Sequence, residues 1–323
     1  MKTKWGIIGL GKIAHIFAND LKHVEGAELY AVASRTQDKA NEFAEIHSAK
    51  NAYGNYTELL KNPEVDMVYI ATPHVFHYDN AIEALQHKKA VLCEKPLAMN
   101  AEQVKVMQDL ARQNKVFFME ALWTDFMPAL QFLKDIKKNN TYGKIKNLKA
   151  EFCFEPEFNP NSRLFNKNLG GGALLDIGIY PVYLALRLIG TPDNIEAHAQ
   201  FNQTDVDVET NIKFLYNDGR SADLFCSLKK TTKSEAVIGF EKAEITIHER
   251  FHESDKLSIK TENDVEQENF NHQYRGYNFE IEHVQECLQK GLTESPFMDF
   301  EFSRTLMMPL DKIREIIGLH YEK

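Results

Sequence analysis

The chain has 323 residues, of which 43% are hydrophobic and 26% charged, a composition that excludes a collagen-like, disordered or low-complexity protein. Because this length exceeds what one hydrophobic core usually organises, we expect two domains. Asp and Glu outnumber Lys and Arg by 47 to 38, and the formal charge of -9 disfavours nucleic acid as a partner.

The cysteines and the N-terminal segment bear on the compartment. Cys93, Cys153, Cys226 and Cys287 lie far apart without a C-x-x-C pair, so they predict neither a disulfide framework nor a zinc site. Glycines interrupt the first apolar run, which we interpret as a strand and turn and not as a signal peptide. No apolar segment approaches the roughly 20 residues that cross a bilayer. The sequence therefore predicts a cytoplasmic protein without a membrane partner.

The first part of the chain alternates short apolar runs with amphipathic stretches, which is typical of a doubly wound parallel sheet with helices. The predicted strands are residues 5–8, 29–33, 67–71, 90–93 and 116–119. The predicted helices between them include residues 12–22, 38–47 and 79–87. Asn100 followed by Gln103 predicts the capped start of another helix, ending near Gln113. We assign residues 1–121 to this α/β domain.

The sequence pattern changes in residues 122–323. Longer runs of alternating apolar and polar residues there predict a mostly antiparallel sheet and an α+β domain. The predicted strands are residues 147–154, 195–201, 210–216 and 221–228. Asn217-Asp218-Gly219 predicts a tight hairpin, and a second hairpin is expected near Glu241 and Lys242. Helices are predicted at residues 172–188, 279–290 and 308–317.

The segment Gly9-Leu10-Gly11-Lys12-Ile13-Ala14 follows the first strand and opens the first helix in the form G-x-G-x-x-A. Gly9 allows the tight turn, Gly11 lets a pyrophosphate approach the backbone, and the small Ala14 lets helix and strand pack closely. The N-terminus of the helix, at Lys12 and Ile13, offers unpaired N–H groups to phosphate. This context predicts a dinucleotide site.

The end of the second predicted strand indicates which dinucleotide is bound. An NAD site usually places Asp or Glu about 20 residues beyond the glycines, where it bonds the ribose hydroxyls. This chain has Ala33-Ser34-Arg35-Thr36 instead, without a carboxylate. Because Ser34 and Arg35 suit a 2′-phosphate, we predict NADP, with NAD as the alternative. In the other interpretation Arg35 is a solvated loop charge.

Three further segments carry polar side chains near predicted strand ends, where α/β sheets bind ligands. Thr72-Pro73-His74 and His77 follow the strand at 67–71, and Glu94-Lys95-Pro96 follows the strand at 90–93. In the second half lies Gly170-Gly171-Gly172-Ala173-Leu174-Leu175-Asp176-Ile177-Gly178-Ile179-Tyr180. Asp176 and Tyr180 are four residues apart and share a helix face.

Together these motifs resemble the Gfo/Idh/MocA oxidoreductases, and the chain is most similar to their dimeric dihydrodiol dehydrogenase-like branch. The likeness continues through Met119-Glu120-Ala121-Leu122-Trp123, through Gly276-Tyr277 with Glu280, and through Glu294-Ser295-Pro296. Similar sequences tend to read W-x-R-F where this chain has Trp123-Thr124-Asp125-Phe126. The contact that this arginine makes in relatives does not transfer to Asp125.

The resemblance implies a Rossmann domain followed by an open-faced, predominantly antiparallel sheet with helices on one face, which often forms a dimer interface. It implies that Tyr180 is the general acid/base, that Lys95 is the lysine of the E-K-P motif, and that Asp176 lies beside them in the substrate pocket. We take the cofactor residues to be Gly9, Gly11, Lys12, Ile13, Ala14, Ser34, Arg35, Thr72, Pro73, His77, Glu94 and Lys95, and no metal ligands are assigned.

The chemistry of these residue types agrees with the resemblance. Reduction of a carbonyl leaves charge on oxygen, so a side chain must donate a proton, and oxidation needs the reverse. A Tyr with an ordinary pKa of about 10 is a poor base near neutrality, but a nearby ammonium such as that of Lys95 lowers this value. His74 and His77 are alternative candidates, since each is equally compatible with a packing role.

The sequence therefore predicts an NADP-dependent oxidoreductase acting on the CH-OH group of a sugar, polyol or vicinal diol. Two alternatives stay open: a redox sensor that binds NADP without chemistry, and a sugar-sugar oxidoreductase with a tightly bound cofactor. The expected partners are the small-molecule substrate and further copies of the chain, as a homodimer or a higher homo-oligomer. Phe201, Phe214, Leu215, Phe225 and Leu228 are apolar candidates for the sheet faces.

Overall fold

The computed structural model describes residues 2–321 and divides the chain into two units. Unit 1 consists of Met1–Phe126 and Gln273–Arg304, and unit 2 consists of Met127–His272 and Thr305–Lys323. The predicted ranges, 1–121 and 122–323, differ from this division in the return of a late segment to unit 1.

Unit 1 is built on six parallel strands in the order β3-β2-β1-β4-β5-β6. The strands are β1 (Thr3–Ile8), β2 (Ala27–Ala33), β3 (Asn51–Tyr53), β4 (Met67–Ile70), β5 (Ala90–Glu94) and β6 (Phe118–Ala121). This order is that of the doubly wound Rossmann fold. It confirms the predicted parallel sheet, and β3 is the strand that prediction missed because it is only three residues long.

Helices follow the strands of this sheet, as the alternation predicted. They are α1 (Lys12–Leu21), α2 (Gln37–His47), α3 (Tyr56–Lys61), α4 (His77–Gln86) and α5 (Ala101–Asn114). The predicted cap of α5 is present, because the side chain of Asn100 accepts the N–H of Gln103 at 2.9 Å. Gln103 Oε1 in turn accepts the N–H of Met99 at 3.0 Å, so each side chain satisfies a donor at the helix start.

Unit 2 is built on eight strands in the order β14-β13-β12-β11-β7-β10-β9-β8, with every neighbouring pair antiparallel except β7 and β10. After helix α6 (Pro128–Lys138) come β7 (Ile145–Cys153), α7 (Ile179–Leu188), β8 (Asn194–Phe201), β9 (Asp207–Leu215), β10 (Ser221–Ser227), β11 (Ala236–Phe240), β12 (Glu244–Ile247), β13 (Lys256–Lys260) and β14 (Val265–Asn269). Both predicted hairpins are present, and the predicted antiparallel sheet is confirmed.

The predicted helix over residues 172–188 is a π-helical turn, Leu174–Gly178, followed by α7. Gly172 has φ +131°, a conformation that no helix contains, so helical structure begins after it. By length and composition the stretch Lys167–Leu188 meets the requirements of a membrane span, contrary to the prediction that no segment approaches one. It is 94% buried within the structure, where α7 packs on β7 and β10 as the core helix of unit 2.

Two helices end the chain, α8 (Tyr277–Gln289) and α9 (Phe300–Ile317). In unit 1, α8 packs against α1, and the carboxylate of Asp20 accepts the N–H groups of Tyr277 at 3.0 Å and Arg275 at 3.4 Å. The side chain of Gln285 donates to the carbonyl of Glu25 at 2.8 Å. These contacts return the segment to unit 1. Helix α9 starts eight residues earlier than predicted and contains Pro309 in its interior.

The sheet of unit 2 has one buried face and one polar face. Phe214 and Leu228 are buried in the core, whereas Phe201 is 42% exposed. Along β7, β9 and β10, Lys149, Lys213 and Asp223 occupy exposed positions between buried ones. The outer face is therefore largely charged, and the candidates Phe214 and Leu228 do not contribute to it.

Candidate active site

The turn after β1 requires glycine at Gly9. Its φ is +88°, and a Cβ there would lie 2.7 Å from the backbone nitrogen of Thr72 and 2.8 Å from the carbonyl carbon of Ala71. The Gly9 N–H bonds the carbonyl of Ala33 at 3.3 Å. The loops after β1, β2 and β4 therefore touch at this point, and no larger residue fits between them.

Gly11 is the N-cap of α1, and a Cβ added to it would meet nothing within 4 Å. Its role is therefore to keep the backbone accessible from outside, not to allow internal packing. A cleft of about 280 Å³ opens beside it, lined by Leu10, Gly11, Lys12, His15, Lys39, Glu42 and Phe43. Lys39 was not singled out from the sequence, although its position four residues after Arg35 places it in the first turn of α2.

The end of β2 carries Ser34 and Arg35, the residues that the sequence predicts for a 2′-phosphate site. Ser34 is buried and its N–H bonds the carbonyl of Tyr53 at 3.1 Å, whereas Arg35 is exposed. Burial raises the pKa of Tyr56, and the charge of Arg35 opposes this rise. Residues 33–37 contain no carboxylate. A guanidinium and a hydroxyl at this position are compatible with a phosphate and offer no acceptor to ribose hydroxyls.

His77 joins two of the predicted cofactor loops. Its Nδ1 lies 2.9 Å from the carbonyl of Pro96 and its Nε2 lies 2.8 Å from the carbonyl of Thr72. Burial lowers the pKa of His77 to about 4 against the opposing effect of these carbonyls. The Thr72 hydroxyl also accepts from Asn80 at 3.0 Å. His77 therefore positions the loops from beneath, while His74, also buried, lies 6.4 Å away between ring centroids.

Buried acids support the Glu94-Lys95-Pro96 segment. Glu94 accepts the hydroxyl of Tyr69 at 2.5 Å, and Glu120 accepts the N–H of Leu97 at 3.0 Å. Burial raises the pKa of Glu120 to about 7, while its hydrogen bond to Ser303 opposes the rise. Lys95 is half-buried at the centre of this segment. The backbone around Lys95 is thus fixed on both sides by carboxyl groups.

Asp176 and Tyr180 lie in unit 2, on the π-helical turn and on α7 respectively. Asp176 is 6% exposed and Tyr180 is 5% exposed. The guanidinium of Arg163 is 2.7 Å from Asp176 Oδ1. Sequence reasoning missed Arg163, which precedes the glycine run and carries no motif of its own.

The ring of Tyr180 is held by aromatic neighbours. Its centroid is 5.5 Å from that of Phe152 and 5.0 Å from that of His252, and His252 stacks on Phe152 at 4.0 Å. All three side chains are less than 10% exposed. His252 belongs to no sequence motif, and the loop after β12 brings it to this position.

Among the described residues 2–321, no group of His, Cys, Asp and Glu side chains is arranged to hold a metal ion. Asp125 is fully buried, and its N–H donates to the carbonyl of Leu122 at 2.9 Å. The nearby Trp123 stacks on Tyr277 with centroids 4.7 Å apart. Unit 1 thus holds the predicted cofactor residues and Lys95, and unit 2 holds Asp176 and Tyr180.

Comparison with known proteins gives matches over both halves of the chain. The model of an oxidoreductase family with an NAD-binding Rossmann fold, GFO_IDH_MocA, matches residues 3–122. The GFO/IDH/MocA C-terminal domain matches residues 130–247. The trans-1,2-dihydrobenzene-1,2-diol dehydrogenase of Xenopus laevis is 35% identical over 99% of this chain and 100% of its own length. The human protein of the same name is 33% identical over 99% of this chain and 98% of its length.

Solved structures share the fold. A 3-ketoreductase from Actinomadura kijaniata, in complex with NADP and TDP-benzene, has a TM-score of 0.88 at 25% identity and covers 98% of both chains. The aldose-aldose oxidoreductase of Caulobacter crescentus, complexed with glycerol, has a TM-score of 0.89 at 20% identity over the same share of both chains.

Proposed function

Because the chain belongs to the Gfo/Idh/MocA oxidoreductase family, we propose that it is an NADP-dependent oxidoreductase acting on the CH-OH group of a sugar, polyol or vicinal diol. The relatives named above act on a dihydrodiol, and a ketoreductase of the same fold binds NADP. The observation that carries the proposal is the buried pair of Asp176 and Tyr180 on one helical run of unit 2, in a chain that matches these relatives from end to end.

Residues at the ends of β1 and β2 fit the cofactor. Gly9 closes the turn, while Gly11 leaves the backbone at the start of α1 open, with Lys12 beside it. A helix start with an accessible backbone suits a pyrophosphate. Ser34 and Arg35 would hold the 2′-phosphate, with Lys39 adding positive charge. Ile13, Ala14, Thr72, Pro73, His77 and Glu94 complete the proposed cofactor residues as shaping and positioning groups.

The proposed acid/base group is Tyr180. When bound, the cofactor supplies or accepts the hydride. During reduction Tyr180 Oη donates its proton to the substrate oxygen, and during oxidation it takes the proton back. The Lys95 ammonium stabilises negative charge on that oxygen. Asp176 orients substrate hydroxyls, since an ionised carboxylate only accepts hydrogen bonds.

The test is a screen of sugars, polyols and diols with NADP and with NAD, following the absorbance of the reduced nicotinamide. We expect turnover on at least one of these classes, with NADP preferred. A protein that binds NADP yet turns over none of them is the redox sensor. An absorbance scan of the purified protein separates a tightly bound cofactor, typical of a sugar-sugar oxidoreductase, from an exchangeable one.

The oligomeric state and the compartment belong to the same proposal. A twofold interface must be complementary to itself. The outer sheet face of unit 2 carries side chains of both charge signs, among them Lys213 and Asp223, whose Nζ and Oδ1 atoms lie 3.9 Å apart. We therefore expect a homodimer, and light scattering that finds a monomer at micromolar concentration contradicts this.

The free and buried cysteines support a cytoplasmic location.

A further inference from the structure

His15 and His47 bond to each other through their rings. His15 Nδ1 lies 2.7 Å from His47 Nε2, and the ring centroids are 4.9 Å apart. His15 belongs to α1 and His47 to α2, and both side chains are partly buried. One of the two nitrogens must donate and the other must accept, so a single N–H lies between the rings. The two histidines therefore form one proton-binding unit.

Helical spacing and a buried phenylalanine fix the position of this histidine pair. Lys39, Phe43 and His47 follow one another at intervals of four residues and so lie on one face of α2. Phe43 is buried, and its ring centroid lies 4.5 Å from that of His15 and 4.4 Å from that of His47. The His15 N–H bonds the carbonyl of Gly11 at 3.3 Å, at the start of α1. Both rings are therefore held in place between α1 and α2.

His15 lines the cleft of about 280 Å³ beside the start of α1. Lys12 on α1 and Lys39 on α2 line the same cleft, and Glu42 contributes a carboxylate to it. Because Nδ1 of His15 is engaged by His47, a ligand in the cleft bonds this ring through Nε2. His15 is therefore the histidine that a ligand meets, and His47 is the residue that positions it from behind.

The cleft adjoins the segment that distinguishes an NADP site from an NAD site. β2 ends at Ala33, and Lys39 lies in the first turn of α2, so the cleft is next to the loop that carries Ser34 and Arg35. A phosphate monoester has nearly two negative charges at neutral pH and accepts hydrogen bonds through three oxygens. A cationic histidine donates from both ring nitrogens. The chemistry of His15 in this cleft thus suits the 2′-phosphate of NADP.

The charge of the histidine pair responds to an anion in the cleft. Burial lowers the pKa of His47, and positive charge at His15 and at Lys22, just after α1, lowers it further. A phosphate in the cleft acts in the opposite direction, because nearby negative charge favours the cationic form of histidine. An added proton gives His15 an N–H on each ring nitrogen, while His47 Nε2 accepts the bond between the rings. Neither ring has to move for this proton to bind.

We propose that His15, supported by His47, binds the 2′-phosphate of NADP and that the histidine pair takes up a proton as this phosphate binds. The inference rests on the proposed function, which assigns the cofactor to this end of unit 1. NAD has no 2′-phosphate and does not draw the proton. The preference for NADP over NAD therefore decreases as pH rises and the pair loses its charge.

The experiment measures the dissociation constants of NADP and NAD by titration calorimetry between pH 6.5 and 8.5. A change of about one pKa unit in the pair on binding weakens NADP relative to NAD by about three- to tenfold over this range. The titration of the phosphate itself has the opposite sign, because its second pKa is about 6 and the dianion binds better. Calorimetry in buffers of different ionisation enthalpy should also show net proton uptake with NADP and none with NAD.

Two variants remove the titration but keep the bond between the side chains. In His15→Asn the amide can stand where Nδ1 stood, and in His47→Gln it can stand where Nε2 stood, yet neither amide takes up a proton. We expect the ratio of the two dissociation constants to change by less than about twofold over the same pH range in each variant. His87→Asn is the matched control, since His87 bonds the carbonyl of Glu83 at 2.9 Å at the end of α4, and it should retain the full pH dependence.

Glu42→Gln tests the carboxylate of the cleft as the source of the pH dependence. We expect the slope to persist in this variant, and its loss assigns the titration to Glu42 and overturns the inference. A ratio that does not depend on pH in the unsubstituted chain, or a slope that persists in His15→Asn or His47→Gln, overturns it as well, while NADP binding and the proposed function stand. If the unsubstituted chain binds neither dinucleotide, the proposed function fails first.

Discussion

Asp207 accepts the backbone N–H of Leu174 at 2.8 Å and thereby fastens the π-helical turn to β9. The same carboxylate accepts the hydroxyl of Thr210 at 2.8 Å. It is fully buried, although its alternation with Asp205 and Glu209 in the sequence suggests a solvated strand face. Asp207 thus positions the turn that carries Asp176, and two predictions follow from this bond.

The first prediction concerns the pH dependence of stability. Burial raises the pKa of Asp207 from 3.8 to about 6, against the opposing effect of its hydrogen bonds. Because the folded pKa is the higher one, the contribution of this group is complete below pH 4 and is lost as pH rises through about 6. The shift corresponds to about 3 kcal/mol. Urea unfolding between pH 4 and 8 should show that Asp207→Asn removes this component, and an identical pH slope in both proteins contradicts the assignment.

The second prediction concerns Gly172, which faces Asp207. A Cβ at this position would lie 2.2 Å from Asp207 Oδ1, and the φ of +131° is strained for any other residue. Gly172→Ala should therefore destabilise the protein by at least about 2 kcal/mol, measured by urea unfolding. Gly190→Ala is the control for backbone strain alone, since it also has positive φ but a Cβ there meets nothing within 4 Å. Equal losses in both variants rule out the contact with Asp207 as the cause.

The third prediction tests cofactor choice. Arg35→Asp replaces a charge-assisted partner of the 2′-phosphate with a repelling carboxylate. The ratio of the NADP and NAD dissociation constants should change by about ten- to a hundredfold or more. Arg112→Asp changes charge equally at an exposed position on α5 and should leave the ratio as it is. If the ratio of the two dissociation constants is unchanged in Arg35→Asp, Arg35 is a surface charge that does not contact the 2′-phosphate.

The fourth prediction concerns the proton. Tyr180→Phe keeps the ring contacts with Phe152 and His252 but deletes the hydroxyl, so kcat should fall on the order of 100- to 10,000-fold while NADPH binding barely changes. Lys95→Met should give a comparable loss. If the two residues act as one unit, the double variant will be little worse than the poorer single variant. Near-normal turnover of Tyr180→Phe leaves His74 and His77 as the next residues to examine.

The fifth prediction addresses the aromatic support of Tyr180. His252→Leu removes the stack on Phe152 and should cost about 0.5–1.5 kcal/mol of stability, together with a fall in kcat as the Tyr180 ring loses a neighbour. His252→Phe retains an aromatic face and should preserve both quantities. Comparable loss of kcat in the two variants implies instead that the imidazole itself takes part in the chemistry.

The strands and helices that the sequence predicts best are those whose pattern of buried and exposed residues is visible within the segment itself. Alternation along β9 and β10 and the Asn100 cap required no knowledge of distant residues. In contrast, β14 is an edge strand with a polar sequence, so its pairing depends on β13 as a template. The predicted start of α9 is also too late in the sequence. Pro309 lies in the interior of α9, where proline normally argues against a helix, so the pattern before it was not interpreted as helical.

The residues of the candidate site also differ in whether a local sequence pattern predicts them. Gly9, Gly11, Asp176 and Tyr180 belong to contiguous motifs whose spacing reveals them. Arg163 and His252 contact residues that lie 13 and more than 70 positions away in the sequence, and no local pattern predicts such contacts. His77 was assigned to cofactor binding from its place in a loop, and only its two carbonyl contacts show that it supports that loop from within.

The two-piece composition of unit 1 has a consequence for biosynthesis. When the ribosome has completed the first 126 residues, all six strands of this unit have been synthesised but α8 has not, so the α1 surface that α8 covers in the folded protein has no partner. Residues 1–126 must therefore wait for most of unit 2 to be synthesised before α8 covers α1. We therefore expect a fragment ending at Phe126 to aggregate on expression, and expect co-expression of Gln273–Arg304 as a separate peptide to increase its solubility.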